Sequence, residues 1–293
     1  GWVQQTLPNN APIVDLQFLD TLTGFVTSRK NASDSSFIFK TTDGGNNWNT
    51  VYQNNVFLSS IHFVDKNTGY SVGATNWALV LKTTNSGDNW YAQPGFTAGQ
   101  LNDVVFVNKD TGWVCSTHSI YGGLWRTTDG GLSWQQEMNA GNKPQRIFFV
   151  NDTTGWVIGN NYNIYKTTNT GDAWYLIYNF SNTVADIFFA SSDSGWIIGG
   201  GANGMMRTTN GGTNWHAVNN PSLPYETRMY FINNTTGWAG INQYKILATK
   251  NGFDWGTQNS PIVQNYFVSF VDTLHGWAGS VGLVHTSDGG GPI

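Results

Sequence analysis

The chain has 293 residues, of which 39% are hydrophobic, 15% aromatic and only 11% charged, against roughly 25% charged in an average globular domain. With 14 Lys+Arg against 18 Asp+Glu and a net charge of −4, it has no basic stripe able to neutralise many phosphates, which argues against a nucleic-acid partner. No apolar run approaches the roughly 20 residues of a membrane-spanning helix.

From the N-terminus, Trp2–Leu7 reads as a short strand that no turn precedes. The repeats begin after it. A Gly-aromatic pair occurs seven times, at Gly24-Phe25, Gly69-Tyr70, Gly112-Trp113, Gly155-Trp156, Gly195-Trp196, Gly237-Trp238 and Gly276-Trp277, with steps of 45, 43, 43, 40, 42 and 39 residues. Just upstream run Phe18, Phe63, Phe106, Phe149, Phe189, Phe231 and Phe270. Each has an apolar residue two positions earlier (Leu16, Ile61, Val104, Ile147, Ile187, Met229, Val268), the period of a strand with one packed face.

Downstream of each pair lies a third series. Thr41-Thr42-Asp43-Gly44-Gly45-Asn46-Asn47-Trp48 recurs at Thr83–Trp90, Thr127–Trp134, Thr167–Trp174 and Thr208–Trp215. A degenerate sixth copy ends at Trp255, with Lys250 where Asp or Asn is expected and Asn251 able to act one residue later. A seventh starts at Thr286 and lacks its Trp. Asp or Asn accepts backbone N–H bonds in a tight turn, Gly supplies positive φ, and Thr adds local bonds. Asp43, Asn85, Asp129, Asn169, Asn210 and Asp288 are therefore assigned structural roles.

Each unit thus contains four strands, and seven units predict an all-β, seven-bladed β-propeller with four antiparallel strands per blade. Trp2-Val3-Gln4-Gln5 resembles the segments that begin at the Trp of other boxes, such as Trp134-Gln135-Gln136. The N-terminal strand should therefore close the ring in the last blade, formed by about 262–291 plus 1–8, so that residues 1–293 make one propeller.

The Ser/Thr-x-Asp-x-Gly-x-x-Trp pattern resembles the Asp box (BNR-like repeat) of sialidases and sortilin-type receptors. The longer pattern, Phe-Val-Asp-x-x-Thr-Gly-Trp followed by Lys-Thr-Thr-Asp-Gly-Gly-x-x-Trp, is similar to photosystem-assembly-factor-like propellers, common among proteins exported by type IX secretion. The Gly289-Gly290-Gly291-Pro292-Ile293 ending resembles the stretch that precedes a removable sorting domain in such proteins. The resemblance implies an extracellular or cell-surface location after removal of a signal peptide and that C-terminal domain.

In four-stranded blades, the turns after the first strand and the boxes share one face, and the remaining loops share the other. The second face varies in length and chemistry, so binding is expected there. Its candidates are Trp77, Tyr121, Tyr162 and Tyr225. Three residues before each inner-strand Phe stand Asp15, Ser60, Asp103, Arg146, Asp186, Arg228 and Phe267. Within this series Asp103, Arg146, Asp186 and Arg228 alternate in sign, either as a charged axial pocket or as ion pairs between blades.

Cys115 reads as a buried, inert thiol, although His118 lies near it in sequence. No metal site, cofactor motif or catalytic residue is assigned. A glycoside hydrolase, sialidase-like or based on two carboxylates drawn from Asp15, Asp103, Asp186 and Glu226, is the alternative to a non-catalytic module that binds a protein or a glycan. The Phe-Arg-Ile-Pro signature of sialidases is absent, and the propeller xyloglucanases that share Asp boxes use two propellers in tandem. Self-association or a surface assembly remains an open mode of partnership.

Overall fold

A computed structural model describes residues 1–30, 35–95, 98–159, 162–181, 183–199, 204–218 and 227–292. Its strands form seven four-stranded antiparallel sheets. The first blade contains β2 (Ile13–Phe18), β3 (Gly24–Lys30), β4 (Ser35–Thr41) and β5 (Asn49–Asn54), and successive blades repeat this meander. The last blade consists of β26 (Phe267–Phe270), β27 (Gly276–Ser280), β28 (Gly282–Thr286) and β1 (Val3–Gln5), in the spatial order β1-β28-β27-β26. Val3 pairs with His285 and Gln5 with Leu283, so the N-terminal strand closes the ring as expected. Closure matters because an open blade would leave a row of unpaired backbone groups.

The aromatic series meet at the blade junctions. The Gly-aromatic ring of one blade stacks on the inner-strand Phe of the next: Phe25 on Phe63, Tyr70 on Phe106, Trp113 on Phe149, Trp156 on Phe189, Trp196 on Phe231, Trp238 on Phe270 and Trp277 on Phe18, with centroids 3.5–4.1 Å apart. The box Trp of that next blade meets the same Phe edge-on, as Trp48 does with Phe18 at 5.9 Å and Trp215 with Phe189 at 6.0 Å. In the last blade Trp2 takes this place against Phe270 at 5.8 Å. Each junction is therefore an aromatic triad, and such pairs add about 0.5–1.5 kcal/mol beyond the area they bury.

This packing explains the glycine. A Cβ on Gly24 would lie 2.3 Å from the Phe18 ring, and one on Gly276 would lie 2.2 Å from Phe270. Any larger residue would push the inner-strand ring off its partner. Several junctions are also hydrogen-bonded: Trp156, Trp196, Trp238 and Trp277 donate Nε1–H to the carbonyls of Gly211, Gly252, Gly289 and Gly44 in the neighbouring boxes.

The boxes bond as the residue types require. Thr41 Oγ1 donates to Asp43 Oδ1 at 2.8 Å and accepts Gly45 N–H at 2.9 Å, while Asp43 Oδ1 accepts Asn47 N–H at 2.9 Å. The threonine contact recurs at Asn85, Asp129, Asn169, Asn210 and Asp288. The sixth box corrects the alignment made from its Trp. Counted from Thr249, the acceptor is Asn251, which receives Thr249 Oγ1–H at 3.3 Å and the N–H groups of Phe253 and Asp254 at 2.9 and 2.8 Å. The missing residue lies between this Asn and Trp255, so Lys250 takes the exposed position of Thr42.

Candidate functional site

The inner strands run from the variable face toward the box face, and alternate residues of each face the axis. Asp15, Ser60, Asp103, Arg146, Asp186, Arg228 and Phe267 form one ring around an axial cavity of about 400 Å³. Two residues further along each strand, Gln17, His62, Val105, Phe148, Phe188, Tyr230 and Ser269 form a second ring. Above the cavity, a funnel of about 780 Å³ opens on the variable face. Arg29, Arg146 and Arg228 line the funnel, and no acidic side chain does so among the described residues.

The axial carboxylates join neighbouring blades. Asp15 accepts the backbone N–H of Ile61 at 2.9 Å, Asp103 that of Ile147 at 3.1 Å, and Asp186 that of Met229 at 2.9 Å. The expected alternation of ion pairs reduces to one among the described residues, Arg146 to Asp103 at 3.6 Å. Arg228 instead donates to the carbonyl of Ala185 at 3.2 Å and lies over the Phe267 ring, 5.6 Å from its centroid. An Asp at the head of an inner strand reaches the next blade's backbone more directly than it reaches that blade's Arg.

Burial pushes the Asp186 carboxyl up to about 7, against the pull of Arg146. Burial likewise raises Asp15 to about 6, with the Asp103 charge adding to the effect. Ser60 Oγ lies 2.9 Å from Asp15 and 3.0 Å from Asp103. A serine hydroxyl has one proton, so both contacts are made as hydrogen bonds together only when one of the two carboxyls carries a proton. Burial works against the Arg146 charge, but Asp103, Asp186 and Asp15 outweigh it and hold the guanidinium ionised.

The aromatic candidates fall into three situations. Trp77 and Tyr121, on loops of adjacent blades, meet edge-on at 5.5 Å and are 51% and 40% exposed. His118 stacks on Tyr121 at 5.4 Å, and its Nδ1 accepts the backbone N–H of Ile120 and Tyr121. Tyr162 is half-buried and packs against the cluster that includes Phe180 and Tyr178. Tyr225, with Glu226, lies outside the described residues. Cys115 is buried, its thiol is raised by burial, and Sγ approaches the Asp103 carbonyl at 3.9 Å. Because His118 is used within its own loop, the two do not form a nucleophile–base pair.

Sequence reasoning missed two features, one in the axial cavity and one on the variable face. The first is the second axial ring, which follows from the same alternation read one step further, at the residue just before each inner-strand Phe. The second is Tyr244, 55% exposed in a turn where both Gln243 and Tyr244 adopt positive φ, 65° and 60°. Such turns favour Asn-Gly, and a bulky residue held there is an outlier. Tyr162 also has positive φ, 59°. Among the described residues, no group of three or more His, Cys, Asp or Glu could hold a metal ion.

No family model matches the chain, and no curated protein matches it. Solved structures do. A structure of YCF48 bound to a D1 peptide superposes with a TM-score of 0.76 at 17% identity, covering 98% of this chain and 96% of that one. A GH74 xyloglucanase from Xanthomonas campestris gives a TM-score of 0.76 at 12% identity, covering 99% of this chain but 54% of the enzyme. The WD40 propeller domain of Doa1 gives 0.73 at 14%, covering 97% and 96%. Across these low identities the likeness is one of fold.

Proposed function

We propose that the chain is a non-catalytic binding propeller that engages a polypeptide partner on its variable face. The observation that carries this reading is the asymmetry between the two faces. The variable face gathers exposed Trp77, Tyr121 and Tyr244 and an arginine-lined funnel. The likeness to YCF48, solved with a peptide bound, supports a polypeptide over a glycan.

The glycosidase alternative is less well supported, because Asp15, Asp103 and Asp186 already accept backbone N–H bonds from neighbouring blades. The box hydrogen bonds support the Asp-box resemblance. The low charge, 11% of residues, accords with work outside the cell or on its surface, and export by type IX secretion belongs to the same reading.

The test is affinity capture with the purified chain, followed by titration of the recovered partner. Trp77→Ala or Tyr121→Ala should weaken binding by about 2 kcal/mol or more, as truncated aromatic anchors do, with thermal unfolding unchanged. A partner that binds both variants as it binds the native chain, or that is blocked by changes in the box turns, would overturn the assignment.

A further inference from the structure

The axial cavity is chemically divided. On blades four to six its second ring is aromatic: Phe148 and Phe188 are 4.9 Å apart, and Phe188 and Tyr230 are 5.6 Å apart. All three are only partly buried, because one side of each borders the cavity. Directly above them, on the same blades, stand Arg146, Asp186 and Arg228. The opposite wall is polar, but its groups are already engaged. Gln17 bonds both backbone groups of Phe63, at 2.7 and 3.3 Å; Ser269 accepts Phe18 N–H at 3.1 Å; and His62 Nε2 lies 3.0 Å from the Phe106 carbonyl.

Little on that wall is left to recognise a polyhydroxylated ligand. The groups free to act are guanidinium N–H donors and aromatic faces. Arg146 makes one ion pair, at 3.6 Å, and its guanidinium donates no closer hydrogen bond among the described residues. Arg228 uses one donor, on Ala185. A planar fork of donors suits a carboxylate. A cavity of about 400 Å³ lies near the lower end of small-ligand sites, roughly 300–1,000 Å³.

We propose that the axial cavity binds a ring-bearing monocarboxylate, its carboxylate held by Arg146 and Arg228 and its ring lying against Phe148, Phe188 and Tyr230. Arg146, Arg228 and Phe267 line both the cavity and the funnel, which defines an entry path from the variable face. Asp186 stands between the two arginines and competes for them while ionised. Its raised position, about 7, makes the site more receptive to an anion as pH falls through neutrality. Asp15, raised to about 6, gains its proton toward the same end of the range and acts in the same direction; Asp103 is engaged by Arg146 and the Ile147 N–H, and burial keeps His62 and Tyr230 neutral. The site requires no partner at the rim and stands apart from the polypeptide reading.

The probes are 3-phenylpropanoate and 3-phenylpropanamide, titrated calorimetrically into the full chain at pH 6 and pH 8. The acid should bind saturably, more tightly at pH 6, and the amide about tenfold or more weakly, because it loses the charge-assisted pair. Arg146→Gln should lower affinity for the acid about tenfold with thermal unfolding kept near native, and Arg228→Gln serves as the second variant if the first fails to fold. Phe188→Leu should weaken acid and amide alike. A short peptide ending in phenylalanine, with a free or an amidated C-terminus, separates the sources of this chemistry. Tighter binding of the free-ended peptide than of the small acid assigns the cavity to a partner's terminus, and the reverse assigns it to a free metabolite. Equal affinity for acid and amide, or no saturable binding by acid or peptide, would overturn the proposal. Trp77→Ala should leave binding of the acid unchanged, so failure here and failure of the rim site are told apart.

Discussion

The two faces of this propeller are built from the same strands and differ in what their loops must do. On the box face the turns satisfy their own backbone: Thr, Asp or Asn and Gly close the hairpin, and in four boxes a glycine carbonyl receives the neighbouring blade's Trp. Its side chains are committed to the fold, so it repeats. On the variable face the loops have no such shared task, and there Trp77, Tyr121 and Tyr244 stand exposed. Local self-sufficiency yields a uniform surface, and release from it yields a distinctive one.

Opening the ring is the most severe change that can be made to the structural side of the molecule. Deleting residues 1–8 removes Trp2, its contact with Phe270 and its Nε1–H bond to Gln258, together with the β1 ladder. A loss of about 5 kcal/mol or more is expected from a buried Trp and several hydrogen bonds, read by denaturant unfolding. Unchanged stability would mean that β1 contributes nothing to closure.

The axis lies between the two faces, and its charges give a pH signature. The Asp186 carboxyl moves from an ordinary 3.8 to about 7 on folding. The native state therefore keeps a proton that the unfolded chain has released. The stabilisation from this group is therefore full below about pH 4, is lost as pH rises toward 7, and is absent above that. Asp186→Asn retains an acceptor for Met229 N–H, so it should flatten this slope and raise the melting temperature at pH 8. A steeper slope in the variant would show that the carboxylate, not the acid, is the favoured native form.

Within the box face, Thr41 is buried and its hydroxyl joins Asp43 to Gly45. Thr41→Val should cost about 1–2 kcal/mol by leaving those groups unsatisfied, with partner affinity unaltered. The smallest effect is expected at Lys250, which is exposed and outside the hydrogen bonding of its box. Lys250→Asp should change stability by less than about 0.5 kcal/mol; a larger loss in chemical denaturation would reveal a partner for the ammonium group.

The sequence alone determined the number of blades, the strand order, the closing strand and the box bonding. Each of these follows from local chemistry repeated at a regular step, so that a residue type and its spacing are sufficient. Even the missing box Trp was legible, because Trp2 stood at the other end of the chain without a box before it. Tertiary structure alone decided how the series combine. Phe18 stacks on Trp277, 259 positions away in sequence, and meets Trp48 of its own blade, because adjacent blades bring together rings that no spacing rule connects. It also decided that Asp103 and Asp186 bond backbone amides more than arginines, and that Phe148, Phe188 and Tyr230 make one wall of a cavity. Those outcomes depend on the angle and distance between blades, which arise only when the ring closes.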